Sequence, residues 1–397
     1  MYWMHYFCGM PDFPKKLQKK LSERAENNSL RYLPQVEDHI DFSSNDYLGF
    51  AKNEDIYANT FQFLLGKGIS QNGATGSRLI SGNHQLYSEL ENYLTNFHQV
   101  ESALIFNSGY DANIGFFSAV PQRNDLVFYD ELIHASIRDG IRMGNAKSYK
   151  FSHNDLEDLK QCIARGRNAI QDEHKVEIYI VTESVFSMDG DSPDLKAFAE
   201  FCSSNGFYFV VDEAHAVGVF GRKGTGLIQE LGLQEQIFAR IITFGKALGC
   251  HGAAILGSKR LKSYLLNFSR SFIYTTALSP HTIATIFSAY TYLGISRGIA
   301  EQEALKENIL AFKGKLKTLG LTKNFINSES AIQSCLISGN DKVKSISKKL
   351  LDDGFNVKAI LAPTVSEGEE RLRFCLHSFN AKEEIGFVLQ LLKNQLK

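Results

Sequence analysis

From about residue 85 the chain alternates segments whose apolar positions fall three and four apart with short runs that are apolar throughout. QLYSELENYLTNFH at 85–98 has helical spacing, and SALIF at 102–106 reads as the strand after it. LVFYD (126–130), EIYIVTES (177–184), FYFVVDEA (207–214), RIITFG (240–245) and AAILGS (253–258) are further strand candidates. Most are continuous apolar runs, as expected of strands buried on both faces of a mostly parallel sheet. Segments such as LKAFAEFCSSNG (195–206) supply the crossover helices. Earlier in the chain, 12–30 reads as a charged helix with Leu17 and Leu21 four apart, and a turn-rich stretch ends in DFSSNDYLGF at 41–50. After Pro280 the pattern predicts a long helical stretch to about 320, then strands near 331–338 and 371–376 and a closing helix at 381–396. The expected architecture is α/β: an N-terminal arm (1–50), a large domain around a mostly parallel sheet (51–285) and a smaller α+β C-terminal domain (286–397).

Composition narrows the class. The chain has 397 residues, 44% apolar and 22% charged, enough to bury large cores. Its 43 basic and 44 acidic residues leave a formal charge of −1, with no electrostatic footprint for nucleic acid or acidic lipid. No run approaches the roughly 20 apolar residues of a membrane-spanning helix. The opening MYWMHYFCGM is apolar but short, lacks a basic start and meets Pro11 and Pro14, so it reads as a tail and not as a secretory signal. Six cysteines without a C-x-x-C pair and eleven histidines without H-E-x-x-H point to reduced thiols in a cytoplasmic protein. They point away from a disulfide framework or a zinc site.

Ligands in open α/β sheets sit beyond the carboxyl ends of the strands, so the residues just after each strand carry the candidate chemistry. FYFVV is followed by Asp212-Glu213-Ala214-His215, and RIITF by Gly245-Lys246, with Thr243 just before. SALIF is followed by Asn107-Ser108-Gly109-Tyr110, and LVFYD by Glu131-Leu132-Ile133-His134. YIVTES leads into Val185-Phe186-Ser187-Met188-Asp189-Gly190. Singly, each has an ordinary structural explanation: Asp212 as a cap, Lys246 as a solvated cation, His134 and His215 as hydrogen-bonded structural residues, Ser108-Gly109 as a turn. Together they suit one chemistry, that of pyridoxal 5'-phosphate (PLP). It needs a lysine for a Schiff base and an acid to hold the pyridinium nitrogen protonated. A Ser-Gly turn opening a helix serves the phosphate. His134 is placed to stack on the ring, and Ser187 and His215 to bond its phenolic oxygen. DEAH at 212–215 also invites a nucleotide-hydrolysing helicase, but G-x-x-x-x-G-K-[ST] is missing: Lys67 precedes Gly68 and Lys246 precedes Ala247.

Over nearly the whole chain from about Leu30, the sequence resembles the α-oxoamine synthases, fold-type I PLP enzymes. The strings that carry the resemblance are DFSSNDYLGF (41–50), GSRLISGNHQLYSELE (76–91), FNSGYDAN (106–113), DELIHASIRDG (130–140), TESVFSMDGD (182–191), VDEAHAVGVFGRKGTG (211–226), TFGKALG (243–249) and APTVSEGEERLRF (362–374). The resemblance implies an aspartate-aminotransferase-like fold and decarboxylative condensation of a small amino acid with an acyl-CoA or acyl-carrier-protein thioester. Lys246 would hold PLP and later take the substrate Cα proton. Asp212 would pair with the ring nitrogen, His134 would stack, and Ser187 and His215 would contact the phenolic oxygen. Ser108, Gly109, Tyr110 and Thr243 would hold the phosphate, and Thr275 or Thr276 would reach the phosphate of a neighbouring subunit. A homodimer with shared active sites follows. Asn45 and Arg373 would orient the amino-acid carboxylate, while Arg31 and Thr364 would contact the acyl substrate. NDYLGF, SMDGD and TFGKALG favour the biotin-pathway members, which use alanine and a pimeloyl thioester. Glycine- and serine-using members share most strings, and an aminotransferase or a catalytically inert module stands further off. The pocket around the Cα substituent, which residues 72–77 are expected to line, separates the members. One departure stands out: pimeloyl users often carry Arg before P-P-T-V, where this chain has Ile360-Leu361-Ala362-Pro363. Leu361 suits a plainer or longer acyl chain.

Overall fold

The apolar runs between residues 102 and 257 form a single seven-stranded sheet in the computed structural model, which describes residues 13–33, 38–167 and 176–396. Its strands are β2 (Ser102–Phe106), β3 (Leu126–Asp130), β4 (Lys147–Phe151), β5 (Ile178–Glu183), β6 (Tyr208–Asp212), β7 (Ala239–Thr243) and β8 (Ala253–Gly257), numbered after a short β1 (Ile40–Asp41). They lie in the order β2-β8-β7-β6-β5-β3-β4. Every pair from β7 to β4 is parallel, and β8 runs antiparallel to both β7 and β2. Strands β2, β5 and β6 carry no exposed residue, because helices cover both faces. The edge strand β4 is different: Lys147, Ser148 and Lys150 are exposed, and charged residues on an open edge discourage pairing with another chain.

Four helices precede or flank the first strands of this sheet: α1 (Lys15–Glu26), α2 (Glu54–Gly66), α3 (Gln85–His98) and α4 (Gly109–Ala119). The expected single stretch after Pro280 is two helices, Pro280–Leu293 and Ser296–Leu319, separated at Gly294-Ile295. A three-stranded antiparallel sheet follows, ordered β11 (Lys358–Ile360), β12 (Arg371–Cys375), β9 (Ile332–Leu336), with the closing helix at Lys382–Gln395. Strand β1 pairs in parallel with β10 (Phe355–Asn356), so the N-terminal arm is stitched onto the C-terminal part of the chain. The arm also docks beside Lys246. Gly249 has φ +60°, and a Cβ there would collide with the backbone nitrogen of Ala51. Only glycine allows the arm and the Lys246 loop to approach so closely. The opening ten residues lie outside the described residues.

Candidate active site

The carboxyl ends of β5, β6 and β7 bring three side chains into one space. Asp212 ends β6, Glu183 ends β5, and Lys246 follows β7. Asp212 is buried; its Oδ1 accepts from Ala214 N at 2.8 Å and its Oδ2 from Asn113 Nδ2 at 2.9 Å. Asn113 lies on α4, one turn into the helix capped by Ser108, whose Oγ accepts from Asp111 N at 3.0 Å. The same helix therefore steadies the carboxylate and turns its positive end and unpaired first N–H groups towards the rim. A Cβ on Gly109 would lie 3.7 Å from Thr243 Oγ1, so the helix start and the end of β7 face each other across a narrow gap.

Lys246 Nζ meets His215 Nε2 at 2.6 Å. Burial lowers the Lys246 ammonium from its usual value to about 8, against the opposing pull of Asp212 and Glu183. A pKa of 8 leaves roughly a tenth of the amine neutral at pH 7 and roughly nine-tenths at pH 9. Burial, and then the cations of Lys246 and Arg373, hold His215 well below the ordinary imidazole range, so its ring is neutral. The Glu183 carboxyl is pushed well up by burial and by Asp212, and its Oε1 accepts from His134 N at 2.5 Å. His134 stands exposed at the rim with Nδ1 2.7 Å from Ser136 Oγ.

The opposite wall comes from distant parts of the chain. Arg373 on β12 donates through Nε to the Ser187 carbonyl at 2.6 Å and through Nη2 to Asn45 Oδ1 at 3.0 Å. Tyr47 donates to the same Asn45 oxygen at 3.1 Å and lies 2.7 Å from His215 Nδ1. Arg31 and Thr364 meet at 3.4 Å on an exposed surface, and Thr364 N donates to the Leu361 carbonyl at 2.8 Å. Thr275 Oγ1 and the Thr276 carbonyl both accept from Asn107 Nδ2, at 3.1 and 2.6 Å, beside Ser108. The Tyr110 hydroxyl reaches Asp139, away from the helix start.

Four residues that sequence patterns passed over are built into this space: Tyr47, Asn113, Glu183 and His153. His153 Nδ1 meets Asp130 Oδ1 at 2.9 Å and its Nε2 meets Asp191 Oδ2 at 2.9 Å, which ties the loop carrying Ser187 to the end of β3. Asp189 in the same loop is paired with Arg371. Three carboxylates, Asp130, Asp189 and Asp191, thus share the two cations His153 and Arg371. Burial opposes the charge on His153, but Asp130 and Asp191 outweigh it and hold the ring at about 10. That lies above the ordinary value of about 6.5, so the stabilisation is complete below about pH 6.5 and is lost as pH rises through 10. Urea midpoints of wild type and His153→Gln are expected to differ at pH 6–8 and to converge towards pH 10.5. A gap that stays constant with pH would contradict the ion-paired state.

The described geometry fits PLP. It holds a buried amine that deprotonates near neutrality, a buried carboxylate braced from two sides, an imidazole at the rim and a helix N-terminus with a glycine at its first position. The buried Asn113 Oδ1 has no partner.

Comparison with known proteins agrees. Residues 37–385 match the family model described as aminotransferase class I and II. The chain is 39% identical, over 98% of both sequences, to an 8-amino-7-oxononanoate synthase of Emericella nidulans. Among solved structures it is similar to the 8-amino-7-oxononanoate synthase of Francisella tularensis, with TM-score 0.75, 27% identity, and 90% of this chain and 98% of that one covered. It is also similar to serine palmitoyltransferase from S. paucimobilis with bound PLP and myriocin, with TM-score 0.84, 26% identity and 96% of each chain covered. The chain belongs to the aminotransferase class I and II family and is a fold-type I PLP-dependent enzyme. Within it, the chain falls among the α-oxoamine synthases and is most like 8-amino-7-oxononanoate synthase.

Proposed function

We propose that the protein condenses a small L-amino acid, alanine, with a pimeloyl thioester of CoA or acyl carrier protein. Thiol and CO₂ are released and an α-aminoketone remains, as in the biotin-pathway enzyme whose name its relatives carry. The observation that supports this most directly is the convergence of His215, Asp212, Glu183 and Arg373 on the Lys246 amine.

When bound, PLP supplies the sink for the electron pair left on the substrate Cα. Lys246 anchors it and serves as the base for the Cα proton, a task that needs the lowered amine described above. Asp212 would keep a proton on the ring nitrogen, His134 would stack on the ring, and Ser187 and His215 would hold its phenolic oxygen. Ser108, Gly109, Tyr110 and Thr243 take the phosphate, with Thr275 or Thr276 serving that of a second subunit. Arg373 and Asn45 grip the amino-acid carboxylate, since a guanidinium offers two parallel donors. His134 also polarises the thioester carbonyl as charge develops on its oxygen. Arg31 and Thr364 contact the acyl chain.

A symmetric dimer is part of the same proposal. Tyr57, Phe61 and Leu65 form an exposed apolar stripe on α2, and Leu79, Ile80 and Tyr274 are exposed as well. Apolar surface of this kind marks a contact. The five cysteines among the described residues are free, which supports a cytoplasmic setting.

Thiol release, measured with alanine, glycine or serine against pimeloyl and palmitoyl thioesters, tests the substrate assignment. Alanine with pimeloyl thioester is expected to react fastest; glycine or serine alone would move the enzyme to another branch of the family. Leu361→Arg is expected to raise kcat/KM for pimeloyl relative to palmitoyl thioester by about two- to fivefold, the worth of one exposed charge pair. An unchanged ratio removes Leu361 from acyl selection.

A further inference from the structure

We propose that Tyr47 is the positioning residue that decides which ring nitrogen of His215 carries the proton, and thereby whether the imidazole meets Lys246 as acceptor or donor. It deepens the function proposed above, because Lys246 is the base of that reaction. The inference rests on donor counting along a chain of contacts, of which the one between Tyr47 and His215 is fully buried. Arg373 Nη2 lies 3.0 Å from an atom of the Asn45 amide, and a guanidinium can only donate, so that atom is the oxygen. Tyr47 lies 3.1 Å from the same oxygen and, in the arrangement observed, donates to it as well. Its hydroxyl has a single proton. The 2.7 Å contact with His215 Nδ1 therefore requires the imidazole to donate Nδ1–H to the tyrosine oxygen. A neutral His215 protonated on Nδ1 turns the lone pair of Nε2 towards Lys246 Nζ, 2.6 Å away.

The arrangement has one alternative. Turning the Tyr47 O–H about its C–O bond from Asn45 to Nδ1 moves the ring proton to Nε2, and the imidazole becomes a donor suited to an oxygen anion. One hydroxyl rotation thus gives a ring that burial keeps neutral both roles: acceptor for an amine, donor for an oxygen. Neither role requires charging the ring. Asn45, which shares its oxygen between Tyr47 and Arg373, couples the rotation to the guanidinium proposed to grip the substrate carboxylate.

Tyr47→Phe removes the acceptor for Nδ1–H in a buried site, where an unpaired donor is costly. The ring proton is then expected to move to Nε2, and Lys246 loses the lone pair that stabilised its ammonium. Lys246 also faces Asp212 of β6, Glu183 of β5, and Arg373 and Cys375 of β12, all unchanged by the substitution. The test uses cofactor-free protein with ¹⁵N-labelled histidine at about pH 9, with His215 assigned by its loss in His215→Asn. Wild type is expected to show the proton on Nδ1 and Tyr47→Phe to show it on Nε2. The pH midpoint of Lys246 acetylation, followed by mass spectrometry, is expected to fall by about half a unit or more in the variant. The same tautomer and midpoint in both proteins would overturn the proposal. Should Tyr47→Phe fold poorly, Asn45→Ala keeps the hydroxyl but removes the acceptor that holds its proton away from His215. It is expected to give the same shift to Nε2–H, and an unchanged tautomer would count equally against the proposal. Neither readout uses substrate, so failure here is separable from failure of the proposed reaction.

Discussion

Alanine in place of Lys246 is expected to lower turnover by at least about 10⁴-fold, the combined loss of a positioned base and of the covalent anchor. The fold is expected to persist, since the amine makes one hydrogen bond, to His215, and no backbone contact. Lys246→Arg separates the possible roles. A guanidinium keeps the positive charge near Asp212 and Glu183, but it does not deprotonate at any accessible pH. If charge alone mattered, arginine would restore much of the rate; if the neutral amine matters, arginine is as inactive as alanine. The measurement is thiol release at pH 7 and 9 for all three proteins. Arginine activity above a tenth of wild type would remove Lys246 from its role as base.

Glu213→Ala is expected to cost about 3–5 kcal/mol of stability, as the breaking of a buried ion pair does. Glu213 and Arg240 are almost fully buried and meet at 2.5 Å. Arg240 also donates to the carbonyls of Thr225 and His98, and Glu213 accepts from Ile228 N at 2.9 Å. Removing the carboxylate strands a guanidinium in the interior and leaves a buried N–H without its partner. The pair joins the residue after β6 to the second residue of β7, the two strands that deliver Asp212 and Lys246, so the loss is also expected to slacken the site. Two large terms compete here: desolvation of both charges and their mutual attraction. Replacing both, as Glu213→Leu with Arg240→Met, removes both terms and is expected to recover most of the denaturant midpoint. A double variant no more stable than Glu213→Ala would mean that the pair is a net source of stability.

Local patterns revealed most of the central sheet. SALIF and LVFYD appear in the structure with the limits read from the sequence, because continuous apolar runs of five have few alternatives in an α/β chain. KSYKF at β4 escaped because an edge strand can afford polar residues on its open side. The reversed direction of β8 and the two-residue ladder of β1 with β10 depend on partners far along the chain, and no window of sequence contains them. The site divides in the same way. Lys246, Asp212, His134 and His215 were legible as polar residues where apolar strands stop. Tyr47 and Asn113 stood inside the strings NDYLGF and FNSGYDAN with no role of their own. Their meaning lies in hydrogen bonds to His215 and Asp212, which are 168 and 99 residues away. His153 was one histidine among eleven until Asp130 and Asp191 closed on it.

The pairing of Ile40 with Phe355 has a consequence for a chain still being synthesised. Asn45 and Tyr47 are made before Lys246, but Arg373 comes from β12, made only after the whole central sheet. At roughly 5–20 residues per second, the arm waits on the order of 15–60 s for its partner strand. Throughout that interval the nascent protein can complete its central sheet, yet the strand that brings Arg373 to Asn45 is still missing. The reactive lysine is therefore exposed to metabolites before it is equipped to select among them. Strand β12, translated after every strand of the central sheet, closes that period of vulnerability.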